Sequence, residues 1–484
     1  MSNKENELNK IGRDHILILI AIGVMSFMAT LDSSIMNIAL PSISKDLNIP
    51  LNQSTWTIIT YLVTLSGLLM LFGRMGDVYG KIKIFKIGTI IFTIGSLLAG
   101  IPLGLIFLLS SLVVQAIGAS MAMSTGFGIL TASFPSNFRA RALAINIMFV
   151  SVGTIAGPAF GGAILNFLSW SYIFWINVPI GILAIFIGFK YFPKDTISQT
   201  NGKIDYIGSA LFFSFIACFF LSVEAAQTVG FKNILVITGL IVSILLFIAF
   251  IKAESSFKEP IIKLKIFKNQ LYSISITTAF LVFAVNSYTN ILMPFYLQDL
   301  RKLTPGQSSL ILMVFPITNL VCSPIAGWAG DKFDKEVVTL IGLGGLALGQ
   351  VGYLLIGGQS PYILLVVTLF INGLTGTIFS SPNSALTMST VPRELLGVAG
   401  SVMALARNVG FVVGNTFATT MLFLSMSRLA GRTVVNYLPS HPEYFIKSMH
   451  FCFIFSAILS LIAFLLTLYR MLNRRVLSEY VAEN

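Results

Sequence analysis

The chain has 484 residues, of which 55% are hydrophobic and only 10% charged, and its formal net charge is +12. A soluble domain carries about 25% charged residues, so this composition excludes an ordinary soluble protein and indicates one that spans a membrane. The basic excess does not indicate a nucleic-acid partner, because the Lys and Arg lie between apolar runs and not on one solvated face or tail.

Uncharged runs long enough to cross a membrane fill most of the chain. A spanning helix needs about 20 mostly apolar residues. Runs of this kind predict fourteen helices, near residues 15–38, 54–72, 84–101, 103–125, 140–165, 172–189, 206–223, 234–251, 272–294, 308–326, 337–356, 361–383, 396–424 and 448–469. The three cysteines lie inside such runs without paired spacing, so neither a disulfide framework nor a metal site is predicted.

The basic residues predict the orientation of these helices. Cytoplasmic loops carry an excess of Lys and Arg, and most of the 31 such residues fall in the inner connections if the N-terminus is cytoplasmic. The sequence therefore predicts a multi-pass protein of the cell (cytoplasmic) membrane with both termini cytoplasmic. Its many Ile, Lys and Asn residues are typical of an AT-rich bacterium.

One segment recurs in the second half of the chain. Residues 73–81, with Gly73, Gly76 and Asp77, recur as residues 327–335, with Gly327, Gly330 and Asp331. Each copy follows an apolar run on the predicted cytoplasmic side. Parallel repeats of this kind build transporters from two six-helix halves with the substrate site near the membrane midplane. The seventh and eighth runs then form an inserted hairpin.

These features predict seven segments along the chain. They are an N-terminal cytoplasmic tail (1–14), an N-terminal six-helix half (15–189), a cytoplasmic linker (190–205), the inserted two-helix hairpin (206–252), a second linker (253–271), a C-terminal six-helix half (272–470) and a C-terminal cytoplasmic tail (471–484).

Seven stretches resemble the major facilitator superfamily, and specifically its fourteen-helix drug/proton antiporter branch. They are Leu31–Pro41 in the first helix, Gly73–Lys83, Gly153–Gly162 in the fifth helix, Trp170–Gly181, Glu259–Phe267, Pro294–Gln298 and Gly327–Lys335, the weaker second-half copy of Gly73–Lys83. The resemblance implies an all-α polytopic membrane protein with fourteen helices. It also implies proton-coupled efflux of small hydrophobic or cationic drugs by alternating access, driven by the proton gradient without a cofactor. We expect the chain to work as a monomer.

The fourth helix departs from the family pattern. The family usually has an Arg three residues before a Gln-Gly, whereas this chain has Leu112 before Gln115-Ala116. In the family that Arg is associated with proton coupling, so its replacement puts the standard coupling route in question and leaves the predicted fold unaffected.

Asp32 is the principal candidate for proton and substrate coupling. An ionisable side chain inside a span is costly and by default marks an ion or substrate path. A low-dielectric setting disfavours the charged form of a carboxyl group, so one group can alternate between a proton and a cationic compound. The alternative is a carboxylate solvated at the rim or hydrogen-bonded to Asn37 or a serine.

Two further charged residues are coupling candidates. Glu224 follows the seventh run, and we favour its interpretation as an outer-loop acid, with coupling in reserve. Arg407 lies well inside the thirteenth run. It either balances Asp32 and helps to replace the missing Arg, or extends to a water-filled cavity and holds adjacent helices together.

The two motifs shared with the family suggest gating roles. In the loop after the second helix, Asp77 is expected to latch the cytoplasmic side through Arg74 or the opposite half, or merely to set topology. The gating residues are Gly73, Arg74, Asp77, Gly80, Lys81 and Asp331. In the fifth helix, glycines spaced by four share one face and allow close packing, and a proline bends the helix. The resemblance implies that this helix seals the outward side, and its residues are Gly153, Gly157, Pro158, Gly161 and Gly162.

The remaining polar residues inside the spans are candidates for lining a substrate cavity, although hydrogen bonding between helices is their commoner use. They are Asn37, Gln115, Asn146, Asn286 and Asn290, with Asn383 as a further example.

No enzyme is predicted. The sequence has no P-loop, no GxSxG and no HExxH, and the three histidines lie at span ends or in an outer loop. The alternative within transport is an exporter or facilitator of a physiological solute or lipid precursor without standard proton coupling. The alternative of a different class is a non-transporting membrane sensor or scaffold.

Overall fold

The structure is a computed structural model that describes residues 12–135, 138–193, 195, 204–230, 232–257, 264–391 and 396–473. Within these residues the chain forms helices and no strands. The helices are α1 (Arg13–Asp46), α2 (Leu51–Ser54), α3 (Trp56–Tyr79), α4 (Lys81–Ala99), α5 (Leu105–Ser133), α6 (Arg139–Phe167), α7 (Ser171–Trp175), α8 (Asn177–Tyr191), α9 (Tyr206–Val229), α10 (Ile234–Ser256), α11 (Gln270–Phe295), α12 (Pro305–Leu312), α13 (Val314–Lys332), α14 (Lys335–Gly352), α15 (Tyr362–Ser389), α16 (Leu396–Ala430) and α17 (Pro442–Leu472).

The number of spans agrees with the number of apolar runs in the sequence. Among the described residues, 13 helices are long and apolar enough to cross a membrane, or up to 14 when a bent pair is taken as one span. The bent pair is α6, in which residues 148–154 and 156–167 meet at 41°. This confirms the predicted all-α, fourteen-helix membrane protein.

The two halves repeat the same helix packing. In the first half α1 packs on α6, α5 packs on both α3 and α4, and α4 packs on α8. The second half repeats these contacts with α11 on α16, α15 on both α13 and α14, and α14 on α17. The hairpin helices α9 and α10 pack on each other, and α9 contacts α3 of one half and α16 of the other. The inserted hairpin is thus built against both halves.

Hydrogen bonds join the two halves at one side of the bundle. We call the side with Asp77, predicted to be cytoplasmic, the inner side, and the opposite one the outer side. At the outer side, Leu51 N donates to Asn436 Oδ1 at 2.6 Å and Asn52 N donates to Val435 O at 3.2 Å. We call these four residues the outer closure. Nearby, the Gln298 amide donates to Ile38 O at 3.2 Å, so the structure is closed at its outer side.

A buried ion pair fastens the inner end of the second half. Arg470 at the end of α17 lies 2.7 Å from the Glu336 carboxylate at the start of α14, and their side chains are 1% and 4% exposed. Arg470 also donates to Ser275 Oγ in α11 and Asn383 Oδ1 in α15. Asn383 therefore holds helices together, which is the commoner use of an intramembrane amide. One guanidinium thus ties four helices.

We expect Glu336→Gln to destabilise the protein strongly. Removing one partner of a buried ion pair leaves an uncompensated charge and costs about 3–5 kcal/mol. The thermal midpoint of the detergent-purified protein should fall well below that of Glu443→Gln. That control removes the carboxylate of the exposed pair with His441, and solvent-exposed pairs contribute little to stability. Equal midpoints for the two variants would show that the buried pair does not stabilise the bundle.

Candidate functional site

Asp32 lies inside the first half and is fully buried, with 0% of its surface exposed. Its two carboxylate oxygens accept hydrogen bonds from two amides, Gln115 Nε2 at 2.6 Å and Asn177 Nδ2 at 2.7 Å. Among the described residues no Lys, Arg or His forms an ion pair with it. Neutral amides thus solvate the carboxylate without neutralising its charge.

Three helices position this cluster. Asp32 lies in the middle of α1, Gln115 lies in α5, and Asn177 is the first residue of α8, directly after the break that follows α7. Gln115 Nε2 also donates to Ser96 Oγ of α4 at 2.8 Å, and Ser96 Oγ donates to Phe92 O. The network therefore fixes the Gln115 amide and directs it at Asp32.

The fourth span, α5, carries Leu112 where the family usually has an Arg. Leu112 is fully buried in α5, one turn before Gln115. Because residues three apart lie on nearly the same helix face, Gln115 makes the polar contact on a face where the family usually also carries a cation. A charged side chain is costly in such a setting.

A regular set of hydroxyl contacts joins α1 to α6. Ser26 Oγ donates to Asn146 Oδ1 at 3.1 Å, Thr30 Oγ1 to Val150 O at 3.1 Å, and Ser34 Oγ to Thr154 O at 2.7 Å. Each donor lies four residues after the last, as does each acceptor, so the two helices run parallel in a fixed register. Asn146 thus contributes to packing between helices.

The contact of Ser34 with Thr154 compensates for the hydrogen bond that the proline in α6 removes. Pro158 lacks an N–H and cannot bond to the carbonyl four residues earlier, which is Thr154 O. The Ser34 hydroxyl donates to that carbonyl, and the helix bends by 41° at this point. The bend predicted from Pro158 is confirmed. The carbonyl of Thr154, which the proline leaves without a backbone donor, accepts from Ser34, two positions from Asp32.

The glycines of α6 permit this close approach. A Cβ on Gly153 would overlap Thr30, one on Gly157 would overlap Ser34, and one on Gly161 would contact Ile35. These three glycines therefore form the predicted close-packing face. A Cβ on Gly162 would instead overlap Ser309 of α12 in the other half, so this glycine belongs to the contact between halves.

The Asp77 loop contains an ion pair and contacts the linker that follows the first half. Asp77 pairs with Lys81 at 3.0 Å, and both side chains are exposed. Gly80 has a φ of 106°, which other residues rarely adopt, and a Cβ there would overlap the Asp195 carboxylate. Asp195 accepts from Ile82 N at 2.8 Å and Lys83 N at 2.9 Å. The linker thus caps the start of α4.

Three other members of this motif are placed as follows. Gly73 faces Ser124 at ordinary contact distance, and Arg74 is half-buried in the last turns of α3. The side chain of Asp331 lies outside the described part of the structure. The latch to the opposite half stays a prediction.

Glu224 is a buried helical residue and not the outer-loop acid that we favour from the sequence. The helix α9 continues five residues beyond it, to Val229, and the side chain is 1% exposed. Thr55, immediately before α3, lies with its Oγ1 2.8 Å from Glu224 Oε1. The apolar run of the sequence ends at Glu224, whereas the helix continues past this residue.

Arg407 lies in α16 and is partly buried. It forms no hydrogen bond or ion pair within the described residues, and in particular none with Asp32. The structure therefore does not bring these two candidates together. Both roles of Arg407 stay predictions.

Three of the cavity candidates keep polar atoms available. Asn286 and Asn290 lie one turn apart in α11, and both are half-buried. Asn37 donates to Ser33 O at 3.1 Å, while its Oδ1 has no partner in the described residues. Their role as cavity lining stays a prediction. Sequence reasoning did not identify Asn177 or Asp195 as contact residues. The available signal for the first was its place in Trp170–Gly181, a stretch that resembles the family.

The paired halves, the spans and the buried polar cluster define a polytopic membrane transporter and not an enzyme. The profile of the Major Facilitator Superfamily matches residues 22–415 and, overlapping, 276–482. The chain belongs to this superfamily, which confirms the family that its motifs predict.

Individual relatives and structures agree with this assignment. The chain is 35% identical to the riboflavin transporter RibZ of Clostridioides difficile, over 91% of this chain and 95% of the relative. It is 27% identical to the multidrug resistance protein Stp of Mycobacterium tuberculosis, over 83% and 75%. A crystal structure of a bacterial homologue of the lysosomal transporter Spinster, inward-facing and occupied, covers 95% of this chain and 97% of its own, with a TM-score of 0.62 at 16% identity.

We expect Gly157→Ala to lower the stability of the bundle. The added methyl group would overlap Ser34 Oγ and approach the Ile35 backbone, forcing α6 away from α1. Overpacking of this kind costs about 1–3 kcal/mol, measured as a lower thermal midpoint. Gly376→Ala is the matched control, because a Cβ at this helical glycine meets nothing within 4 Å. The prediction is wrong if both variants keep the wild-type midpoint.

Proposed function

We propose that this chain is a proton-coupled exporter of small hydrophobic, often cationic, compounds, and that Asp32 is the residue that carries the proton. The observation that supports this most is the burial of Asp32 between two neutral amides without a cationic partner in the described residues. It works as a monomer in the cytoplasmic membrane with both termini cytoplasmic, and needs no cofactor besides the proton gradient.

The chemistry of the site suits exchange of one cation for another. A buried charge without a partner is unfavourable, so Asp32 is more stable when a proton or a cationic compound occupies the site. Both cannot neutralise the same carboxylate at once, and binding of one therefore favours release of the other. Alternating access to the two sides converts this competition into transport against a gradient.

The packing of α1 supports the link between the proton and the conformational change. Ser34, two residues beyond Asp32, holds the carbonyl freed at the bend of α6. Gly162, further along the same helix, packs on Ser309 of the opposite half. A change around Asp32 therefore has a contiguous route to the contact between halves, and multidrug resistance proteins among the relatives favour drug-like substrates.

A second candidate is transport of riboflavin or a similar flat heterocyclic compound. The observation that favours it is the 35% identity to a riboflavin transporter over nearly the whole of both chains. Riboflavin carries no positive charge, so on this proposal the neutral amides of Gln115 and Asn177 are suited to a site that does not select cations.

We expect Asp32→Asn to abolish proton-coupled export while the protein still reaches the membrane. Asparagine keeps the size and polarity of the side chain but cannot bind and release a proton. The measurement is proton release driven by ethidium in proteoliposomes that contain the purified protein. Asp46→Asn, at the exposed outer end of the same helix, should behave as wild type. Proton release by Asp32→Asn at the wild-type rate would refute the assigned role.

The two substrate proposals differ in a competition assay. If drug-like cations are the substrates, ethidium efflux collapses with an uncoupler, and excess riboflavin leaves it unchanged. If riboflavin is the substrate, proteoliposomes that contain the purified protein accumulate or export labelled riboflavin, and ethidium does not compete with it. Transport of neither compound would contradict both candidates.

A further inference from the structure

We infer that Arg407 binds the transported compound directly, and that it selects planar aromatic compounds with an anionic or carbonyl oxygen at one edge. The inference rests on the proposed transport function and deepens it by naming what the second half recognises. Arg407 lies about 16 Å along α16 from Leu396. Its guanidinium is therefore deep in a span, where a charged group by default marks a substrate or ion path.

The charge of Arg407 is not compensated by any described acidic residue. Within the described ranges its guanidinium takes part in no hydrogen bond or ion pair. The helix α16 and the helix α11, on which it packs, contain no Asp or Glu. The side chain is only partly buried, so its N–H donors are accessible. A cation in this position favours a ligand that supplies an acceptor oxygen.

Two aromatic rings lie next to this guanidinium. Phe411 follows Arg407 by one helical turn, and residues four apart share a helix face. The Phe411 ring packs on the Phe283 ring of α11, with the ring centroids 5.4 Å apart and the ring planes at 51°. Both phenylalanines are partly exposed, although they lie well inside their helices. The rings thus offer a flat ligand an apolar surface beside the cation.

Two amides continue this surface along α11. Asn286 and Asn290 follow Phe283 by one and by two helical turns, so the three side chains share one helix face. Both amides are partly exposed, and neither forms a side-chain hydrogen bond among the residues that the structure describes. Each offers a donor and an acceptor. We call the following five residues the guanidinium–aromatic face: Arg407, Phe411, Phe283, Asn286 and Asn290.

Close packing of α16 on α11 fixes this face. A Cβ on Gly414 would overlap Ala284 O, so the two backbones approach closely at this point. Ser287 Oγ donates to Phe411 O at 3.2 Å and sets the register of the two helices. The rings and amides are therefore in place before a ligand binds, and a preformed site loses little freedom on binding.

The guanidinium–aromatic face borders the space between the two halves. The helix α16 also contacts α3 of the first half and α9 of the hairpin. A guanidinium directed at lipid is costly, so the partly exposed Arg407 lines water-accessible space and not the lipid boundary. The outer closure blocks this space from the outer side. A ligand therefore reaches the face from the inner side, as an exporter requires.

The combination of these groups specifies the class of ligand. A guanidinium forms paired hydrogen bonds with a carboxylate, and its planar fork favours oxygens that lie in one plane. The two rings pack on a flat apolar body, and the amides bond to further polar atoms at its edge. A compound without an acceptor oxygen gains nothing from Arg407. The ligand is thus aromatic and carries its oxygen at the edge, and a positive charge is not required at this face.

The test compares two fluorescent probes that share one ring system, pyrenecarboxylate and pyrenemethanol. Their binding to the purified full-length protein is measured by fluorescence anisotropy at neutral pH, against detergent without protein. We expect the wild-type protein to bind the carboxylate more tightly by about tenfold, because a hydrogen bond to a charged group is stronger than one to a neutral group. Arg407→Gln should abolish this preference. Arg428→Gln, which removes an exposed Arg in the last turn of the same helix, should keep it.

Phe283→Leu is the second variant, because it removes a ring of the face and leaves the guanidinium. It should weaken the binding of both probes to a similar extent. The comparison of the two probes on the wild-type protein needs no variant, and it covers the case in which Arg407→Gln does not fold. The inference is overturned if the wild-type protein shows no preference for the carboxylate, if the preference persists in Arg407→Gln, or if Phe283→Leu binds both probes as the wild type does.

These outcomes are distinct from those that test proton coupling. The binding assay applies no proton gradient, so equal affinities for the two probes would remove the role of Arg407 and leave the role of Asp32 standing. Conversely, proton release by Asp32→Asn at the wild-type rate would refute coupling through Asp32 without changing the affinity of either probe for the guanidinium–aromatic face.

Discussion

The close contact between α1 and α6 is the constraint on which the candidate site depends. Glycines at positions 153, 157 and 161 remove the side chains that would separate the helices, and hydroxyls of α1 then reach backbone and amide oxygens of α6. Successive helical residues turn by about 100°, so Asp32 lies roughly opposite Thr30 and Ser34. The glycine face thereby directs Asp32 away from α6 and towards the amides of α5 and α8.

Buried carboxylates in this protein are handled in two ways. Glu336 is paired with Arg470, whose guanidinium also contacts two further helices. A carboxylate held by a permanent cation keeps its charge, which suits a fixed structural role. Asp32 has neutral groups as its described partners, the amides of Gln115 and Asn177. Neutral partners tolerate either protonation state, so the proposed proton-binding role falls on Asp32.

Long-range regularities of the sequence predict most of the fold. Hydropathy and the paired Gly-Gly-Asp segment give the spans and the two halves, since each depends on many residues and not on one contact. The spacing of Gly153, Gly157 and Gly161 predicts a packing face, because residues four apart in a helix lie on the same side whatever the rest of the chain does.

The partners of individual polar residues are not predicted in the same way. Asn177 reaches Asp32 across 145 positions of the chain, and Asp195 caps a helix 112 positions earlier. No local pattern records such contacts. Hydropathy places Glu224 in a loop because it ends a span at the first charge, whereas the helix continues when a polar partner such as Thr55 compensates for burial.

The constant register of the α1–α6 contacts restricts how this chain can vary in length. All three donor–acceptor pairs are separated by 120 positions, although several loops and helices lie between them. An insertion of one residue in the loops between α1 and α6 would change that number without moving any atom of the contact. The same insertion between Ser26 and Ser34, or between Asn146 and Thr154, would rotate every later side chain of that helix by about 100°. The Ser34 hydroxyl would then no longer reach Thr154 O at the bend. Length variation among homologues should therefore concentrate in the connections and avoid these two helical segments.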